Sequence, residues 1–278
     1  MSTPARRATW ERVRAFTYRA CGVVLDEERH YLLDGRLQRV AQRLGFGSVE
    51  DFVSSACSPG ADIGLTEPLL DAITTHETSF FRDGRFWRVI EEQILPELVG
   101  RGRPINVWST ACASGQEALS LAMLLAERWP TAFDAVRILA TDVSAPTVAR
   151  ARAATYSVVE VNRGLSAERL VRHFDVVPQG FRPKAALRER IVYMVHNLLG
   201  AAPYPTGFDL VLCRNVLIYF NDTDRTRVVD RLCRSASLGY VGFGITELVP
   251  GRRAVGSGWI AVGQDKGSET RGTWESKR

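Results

Sequence analysis

Residues 107–117 read Val107-Trp-Ser-Thr-Ala-Cys-Ala-Ser-Gly-Gln-Glu117, an apolar run that ends in small residues and one glycine before the chain turns helical. A strand, a tight loop and a helix in that order let a ligand approach open backbone amides at the carboxyl end of the strand. The loop carries one glycine rather than a G-x-G-x-x-G, so a pyrophosphate-binding fingerprint is absent, and there is no G-x-x-x-x-G-K-[ST] to make a P-loop. Twenty-seven residues after Gly115, Asp142 ends the next strand, where an acid in a doubly wound sheet accepts ribose hydroxyls. Together these features fit a nucleoside without phosphates, such as S-adenosylmethionine. The plainer reading is a turn at Gly115 and a helix cap at Asp142 ahead of Ala145-Pro146.

Outward from this stretch, strands and helices alternate, which predicts an α/β fold with a parallel sheet. Ile105–Ser109, Val136–Thr141, Ile191–Val195 and Phe208–Cys213 read as strands. Gln116–Trp129, with Ala118, Leu121, Ala122, Leu125 and Trp129 inward, reads as a helix, as do Ala145–Ala153 and Asp222–Arg234. Residues 156–190 break the rhythm around Gly164 and Gly180 and predict a small insert. Tyr240–Phe243 and Trp259–Val262 predict a closing antiparallel hairpin, and the polar tail 264–278 is expected to be disordered. The domain of this sheet is expected over 104–263.

Residues 1–75 show helical periodicity and no strand. Leu33, Leu37, Val40 and Leu44 make an apolar stripe, with a basic stripe of Arg36, Arg39 and Arg43 beside it. By itself the basic stripe reads as a solvated face. Gly45 and Gly47 stop that helix, and Ser48 opens another through Phe52.

The 278 residues are 45% hydrophobic and 24% charged, ordinary for a globular protein with a sizeable core. A net charge of +5 falls short of the concentrated basic surface that nucleic-acid binding needs. Lysine occurs only at 184, 266 and 277, which excludes a site built from several lysines. No apolar run approaches the ~18 residues of a membrane span. Cys21, Cys57, Cys112, Cys213 and Cys233 are scattered with no C-x-x-C, so neither a disulfide framework nor a thiolate zinc site is suggested, and the chain reads as cytoplasmic.

Two further clusters could carry chemistry. In Ile73-Thr-Thr-His-Glu-Thr-Ser-Phe-Phe-Arg-Asp83, Thr78 and Arg82 are four apart and would share a helix face suited to a carboxylate; residues 76–103 are expected to form a linker helix. His76 could serve as a base or ligand, but the four histidines lie far apart with no H-E-x-x-H, which argues against a metal. Thr74–Glu77 also reads as a capping box. In Cys213-Arg-Asn-Val-Leu-Ile-Tyr-Phe220 a buried strand ends in Arg214 and Asn215, polar groups that packing alone does not need.

HETSFFRD, VWSTACASGQE, the Asn197-Leu-Leu199 triplet and FDLVLCRNVLIYF, in this order, resemble the CheR-type chemotaxis receptor methyltransferases. RLQRVAQRLGFGS and the stretch from Arg163-Gly-Leu to His173-Phe174 match more weakly, and the resemblance spans about Val13 to Val262. It implies a Rossmann-like S-adenosylmethionine-dependent methyltransferase domain with an inserted β-subdomain, behind a small all-helical domain. It also implies methylation of glutamates on cytoplasmic helices of methyl-accepting chemoreceptors, with S-adenosylhomocysteine as product; the chain is expected to act as a monomer with no metal, nucleic acid or membrane insertion. The family's cofactor contacts fall on His76, Thr78, Arg82, Glu117, Asp142, Asn197, Leu198, Arg214 and Asn215. Among them, Arg82 and Glu117 lie around the methionine moiety, Asp142 at the ribose, and Asn197 and Leu198 at the adenine. Tyr219 matches a tyrosine near the transferred methyl group and is the catalytic candidate. The amino-terminal helices touch the receptor in the family, which turns Arg36, Arg39 and Arg43 into candidate receptor contacts, and the insert captures a receptor tail peptide in some members. Ala118-Leu119 and Ser237-Leu-Gly-Tyr240 depart from the family's Pro-Tyr and Pro-Gly-Gly, both on scaffold.

A glutamate nucleophile has an ordinary pKa of about 4.3 and needs no general base at neutral pH. Competing readings are a cofactor-binding adaptor or sensor, and a methyltransferase for another protein, a small molecule or nucleic acid. Ala202-Pro-Tyr-Pro205 is not the Asn/Asp-Pro-Pro-aromatic turn of base-amino methyltransferases.

Overall fold

The structure is a computed structural model that describes residues 4–200, 205–236, 239–244, 247 and 258–262. The tail expected to be disordered, the Ala202–Tyr204 turn and the Ser237-Leu238 departure lie outside the described residues.

Residues 4–73 are helical: α1 (Pro4–Cys21), a single 3-10 turn (Glu27–His30), α2 (Gln38–Arg43), α3 (Val49–Ala56) and α4 (Ile63–Ile73). They close on their own core of Trp10, Leu33, Leu37, Val40, Phe52 and Leu69. The expected Leu33–Leu44 stripe holds only in part. Leu33–Leu37 adopts wide π-type turns, which shift the register of α2; Ala41 is buried and Leu44 is 37% exposed. Ser48 Oγ accepts the Asp51 amide at 3.1 Å, capping a helix that runs past the expected Phe52 to Ala56.

Residues 74–83 form an irregular strap, not the expected start of a linker helix. Helix begins only at α5 (Gly84–Val89), continuing through π-type turns into α6 (Leu95–Gly100). The second domain then runs β1 (Asn106–Thr110), α7 (Gln116–Arg128), α8 (Pro130–Ala135), β2 (Arg137–Asp142) and α9 (Ala145–Ala153). The insert comes next, with α10 (Val158–Asn162), α11 (Ala167–His173), an antiparallel pair β3 (Phe174–Val177) and β4 (Gly180–Pro183), and α12 (Ala185–Arg188). β5 (Ile191–Val195), β6 (Leu210–Cys213), α13 (Asp222–Ser235), β7 (Tyr240–Phe243) and β8 (Trp259–Ala261) complete the order.

The six-stranded sheet has the order β5-β2-β1-β6-β7-β8, parallel except for β8, which pairs antiparallel with β7. The chain winds from β1 toward β5 and then from β6 the other way, so β1 and β6 flank the switch point where open α/β sheets bind ligands. Register puts Thr110 beside both Thr141 and Cys213, so the chain leaves β1, β2 and β6 at one edge. Ala118 and Leu119, the residues that depart from the family's Pro-Tyr, are fully buried under this sheet.

The strap is held by aromatic packing. Phe80 is fully buried, edge-on to Tyr156 and Phe174 with ring centres 5.2 and 5.6 Å away, and Tyr156 Oη donates to the Ser114 carbonyl at 2.7 Å. Gly164, at φ +101°, lies so close that a Cβ there would overlap the Phe80 carbonyl oxygen. Gly164→Ala is therefore expected to lower stability by at least ~1–3 kcal/mol, the cost of the backbone conformation alone, read as a shift in the urea midpoint.

Candidate functional site

A cleft of about 1020 Å³, counted out to its open mouth, lies over the carboxyl edge of β1, β2, β5 and β6, walled by the strap and by Cys21, Val23 and Arg29. Ala111 and Ala113 (each φ +48°) and Asn215 (φ +57°) line it in the left-handed region. Such conformations persist where surrounding contacts over-determine them, and they collect at ligand sites. Here the Ala113 amide is held by Asp142 at 3.0 Å and the Asn215 amide by Glu247 at 2.9 Å.

Every residue expected at the cofactor borders this cleft, and Tyr219 borders it as well. Asp142, buried at the end of β2, accepts the Ala113 amide on Oδ2 and the Ser144 amide on Oδ1 at 3.1 Å, which leaves each oxygen a further lone pair. Glu117, in the first turn of α7, accepts from Ser109 Oγ at 2.7 Å and from Arg214 Nη1 at 3.1 Å. Arg214 Nη2 also donates to Asp83 Oδ2 at 2.6 Å and to the Arg82 carbonyl at 2.8 Å, and its guanidinium lies 4.0 Å from the Phe86 ring centre. Thr78 and Arg82 reach the cleft from the irregular strap rather than from a shared helix face. Arg82 is turned by a 3.1 Å hydrogen bond to the Glu77 carbonyl. Thr74 is the end of α4, not the start of a capping box. Asn197 spans the two domains, donating to the Ala20 carbonyl at 2.8 Å and accepting the Leu199 amide at 2.9 Å, with Leu198 beside it.

The basic stripe lies away from the cleft. Arg39 and Arg43 are exposed, but Arg36 donates to the Thr74 carbonyl at 3.0 Å and so braces the strap. Reversing its charge would disturb the cleft wall, a role that the solvated-face pattern gives no hint of.

Several residues of the site carried no sequence signal. Glu247 accepts four amides, those of Asn215, Val216, Leu217 and Gly244, and fixes the turn after β6. Asp71, on α4, accepts from Ser144 Oγ, from Thr147 Oγ1 at 3.0 Å and from His76 Nε2 at 3.2 Å, tying the helical domain to α9. Burial alone would raise the Asp71 carboxyl, but hydrogen bonds from His76 and Ser144 outweigh it and bring the pKa down to about 2. His76 answers in the opposite sense: desolvation pulls it down, but its bond to Asp71 and the charge of Asp142 leave it raised above 6.5. Burial pushes the Cys21 thiol up to about 11 and raises Cys112 and Cys213 as well, so none of these supplies a thiolate nucleophile. Among the described residues no group of three or more His, Cys, Asp or Glu could hold a metal ion, and no helix is long and apolar enough to cross a membrane.

The sequence profile described as "CheR methyltransferase, SAM binding domain" matches residues 76–256, and "CheR methyltransferase, all-alpha domain" matches 8–55. The chain belongs to the CheR methyltransferase family. Among its relatives, chemotaxis protein methyltransferase 1 of Pseudomonas aeruginosa is 36% identical over 251 residues, covering 87% of this chain and 91% of that one. A chemotaxis protein methyltransferase of Pseudomonas putida is 33% identical over 87% of this chain and 90% of its own. One from Vibrio parahaemolyticus is 34% identical over 83% of this chain and 86% of its own. This CheR-family chain is thus an S-adenosylmethionine-dependent methyltransferase, with a Rossmann-like sheet behind an all-helical domain.

The Asp71–His76 pair has a defined pH window. The depressed Asp71 value means its contribution to stability is present above 3.8 and lost as pH falls toward about 2. The raised His76 value means its contribution is full below 6.5 and lost as pH rises through the folded-state value. Asp71→Asn, which keeps an acceptor oxygen, is expected to show its largest deficit in urea midpoint between about pH 4 and 6.5, shrinking on both sides. A deficit that does not vary with pH would contradict the pairing.

Proposed function

We propose that this CheR-family enzyme methylates glutamate side chains on the cytoplasmic helices of chemoreceptors, yielding glutamyl methyl esters and S-adenosylhomocysteine, as a cytoplasmic monomer without a metal. The observation that carries this reading is one cleft that gathers the carboxylates of Asp142 and Glu117 and the guanidinium groups of Arg82 and Arg214 at the carboxyl edge of the sheet. A substrate glutamate needs no general base, because it is already ionised at neutral pH.

The residues fit the cofactor. The free lone pairs of Asp142 suit two ribose hydroxyls, Asn197 and Leu198 suit the adenine, and Arg82 and Glu117 suit the carboxylate and ammonium of the methionine portion. When bound, S-adenosylmethionine supplies a methyl group on a positively charged sulfur. His76, Thr78 and Asn215 complete the wall, and Arg214 orients Glu117. Tyr219 faces the same cleft, beside the position proposed for the methyl group. The chain's main task is alignment, worth up to ~7–11 kcal/mol as effective molarity. Exclusion of water assists because charge disappears as an anion and a cation give neutral products.

The names of the three relatives above, each a chemotaxis protein methyltransferase, favour a chemoreceptor substrate. Exposed Arg39 and Arg43 suit acidic receptor helices, and their contribution would be read in the salt dependence of KM.

Incubation with methyl-labelled cofactor and receptor cytoplasmic fragments is expected to give base-labile label on glutamate. Label that survives base would point to an amine or ribose acceptor, and no transfer with intact cofactor binding would point to a sensor. Asp142→Asn is expected to weaken S-adenosylhomocysteine binding about tenfold or more by calorimetry, since hydrogen bonds to a charged acceptor contribute roughly 1.5–3 kcal/mol each.

A further inference from the structure

Three arginines line the cleft, and two are already committed. Arg214 is held by Glu117, Asp83 and the Arg82 carbonyl, and Arg82, turned by the Glu77 carbonyl, is assigned above to the carboxylate of the methionine portion. Arg29 differs. It enters from the helical domain on the single turn Glu27–His30, half-buried, with its guanidinium carbon 5.3 Å from the centre of the Tyr219 ring. Its ion pair is a loose one, 3.9 Å to Asp26, a side chain that is itself 73% exposed. The placement is rigid all the same: the Val24 amide donates to the Tyr219 carbonyl at 2.8 Å, Leu25 is buried, and Arg14 Nε binds the Leu25 carbonyl at 2.9 Å.

We propose that Arg29 binds the carboxylate of the incoming glutamate. This rests on the protein-glutamate reading above and assigns it a residue. A guanidinium N–H pairs with one carboxylate oxygen and leaves the other free. That free oxygen gives a lone pair to the methyl carbon, an O–C bond forms, the C–S bond breaks with its pair left on sulfur, and no proton moves. A cation at this point selects glutamate over the neutral amide of glutamine. It also loses its charged partner once the ester forms, which favours release of the product. Because pairing holds the carboxylate without making it a better nucleophile, Arg29 acts on binding rather than on the chemical step. Neighbouring Asp26, Glu27 and Glu28 oppose any long-range attraction here, so the effect is a local contact and not steering.

The test measures binding of receptor cytoplasmic fragments, carrying Glu or Gln at the methylation positions, to enzyme saturated with S-adenosylhomocysteine. Wild-type enzyme is expected to prefer the Glu fragment about tenfold, the worth of one charge-assisted contact. Arg29→Gln should bind both fragments alike, and Arg29→Lys should restore part of the preference. In turnover, Arg29→Gln should raise KM about tenfold with kcat changed less than about twofold. S-adenosylhomocysteine affinity should be unchanged in both variants, and its loss would overturn the assignment by placing Arg29 in the cofactor site or the fold. A preference that survives in Arg29→Gln, or is absent from wild type, would overturn it too. Failure of wild type to form base-labile esters would instead count against the function proposed above, and the binding comparison would still decide the role of Arg29.

Discussion

A buried guanidinium governs this site. The Arg214 side chain is 3% exposed, and a charge so far from water is tolerable only beside opposite charge. It finds Glu117 at the start of α7, Asp83 at the start of α5 and the Arg82 carbonyl of the strap. Removing one partner of such a buried pair typically costs about 3–5 kcal/mol, so the end of β6, the first turn of α7 and the strap are bound into one unit. The left-handed Asp83 (φ +62°) follows from that demand: the chain accepts local strain to deliver a carboxylate.

Everything else about the cleft depends on where that unit sits. The sheet supplies the floor, and Asp142 takes its place because β2 lies beside β1 in register. The strap supplies one wall because Phe80 is locked among Tyr156 and Phe174, so the insert braces the cleft from outside. The helical domain supplies the remaining wall through Asn197 to Ala20, Tyr18 Oη to Asp224 at 2.9 Å, and Asp71 to α9. Neither domain alone forms the site, and a loosened contact between them would open it.

The sheet was legible because buried parallel strands are unbroken apolar runs, as in Leu210–Cys213, and because a small-residue loop followed by a helix has few structural meanings. Asp142, Arg214 and Asn215 were legible for a related reason: polar residues at the ends of such runs need a purpose, whereas Glu117, in the first turn of α7, was expected only from the family resemblance. The strap was misread because a four-residue spacing between Thr78 and Arg82 implies a shared face only if helix is present. Helix is overridden there by tertiary contacts to Phe80, Thr74 and Arg214 that no local pattern records. Leu44 failed for a smaller reason, a π-type register shift at Leu33–Leu37. Arg29, Asp71 and Glu247 were invisible because these partners lie far along the chain: Arg29 meets Tyr219, Asp71 meets Ser144, and Glu247 meets the amides of Asn215, Val216 and Leu217.

Strap and sheet edge form a single site clamped by Arg214. Hydrogen–deuterium exchange with and without S-adenosylhomocysteine tests it most directly. The ligand is expected to slow exchange in residues 75–83 and 111–117 together, and Arg214→Lys, which loses the forked geometry, to uncouple the two. Protection confined to 111–117 and 142, with the strap exchanging as freely as before, would contradict it.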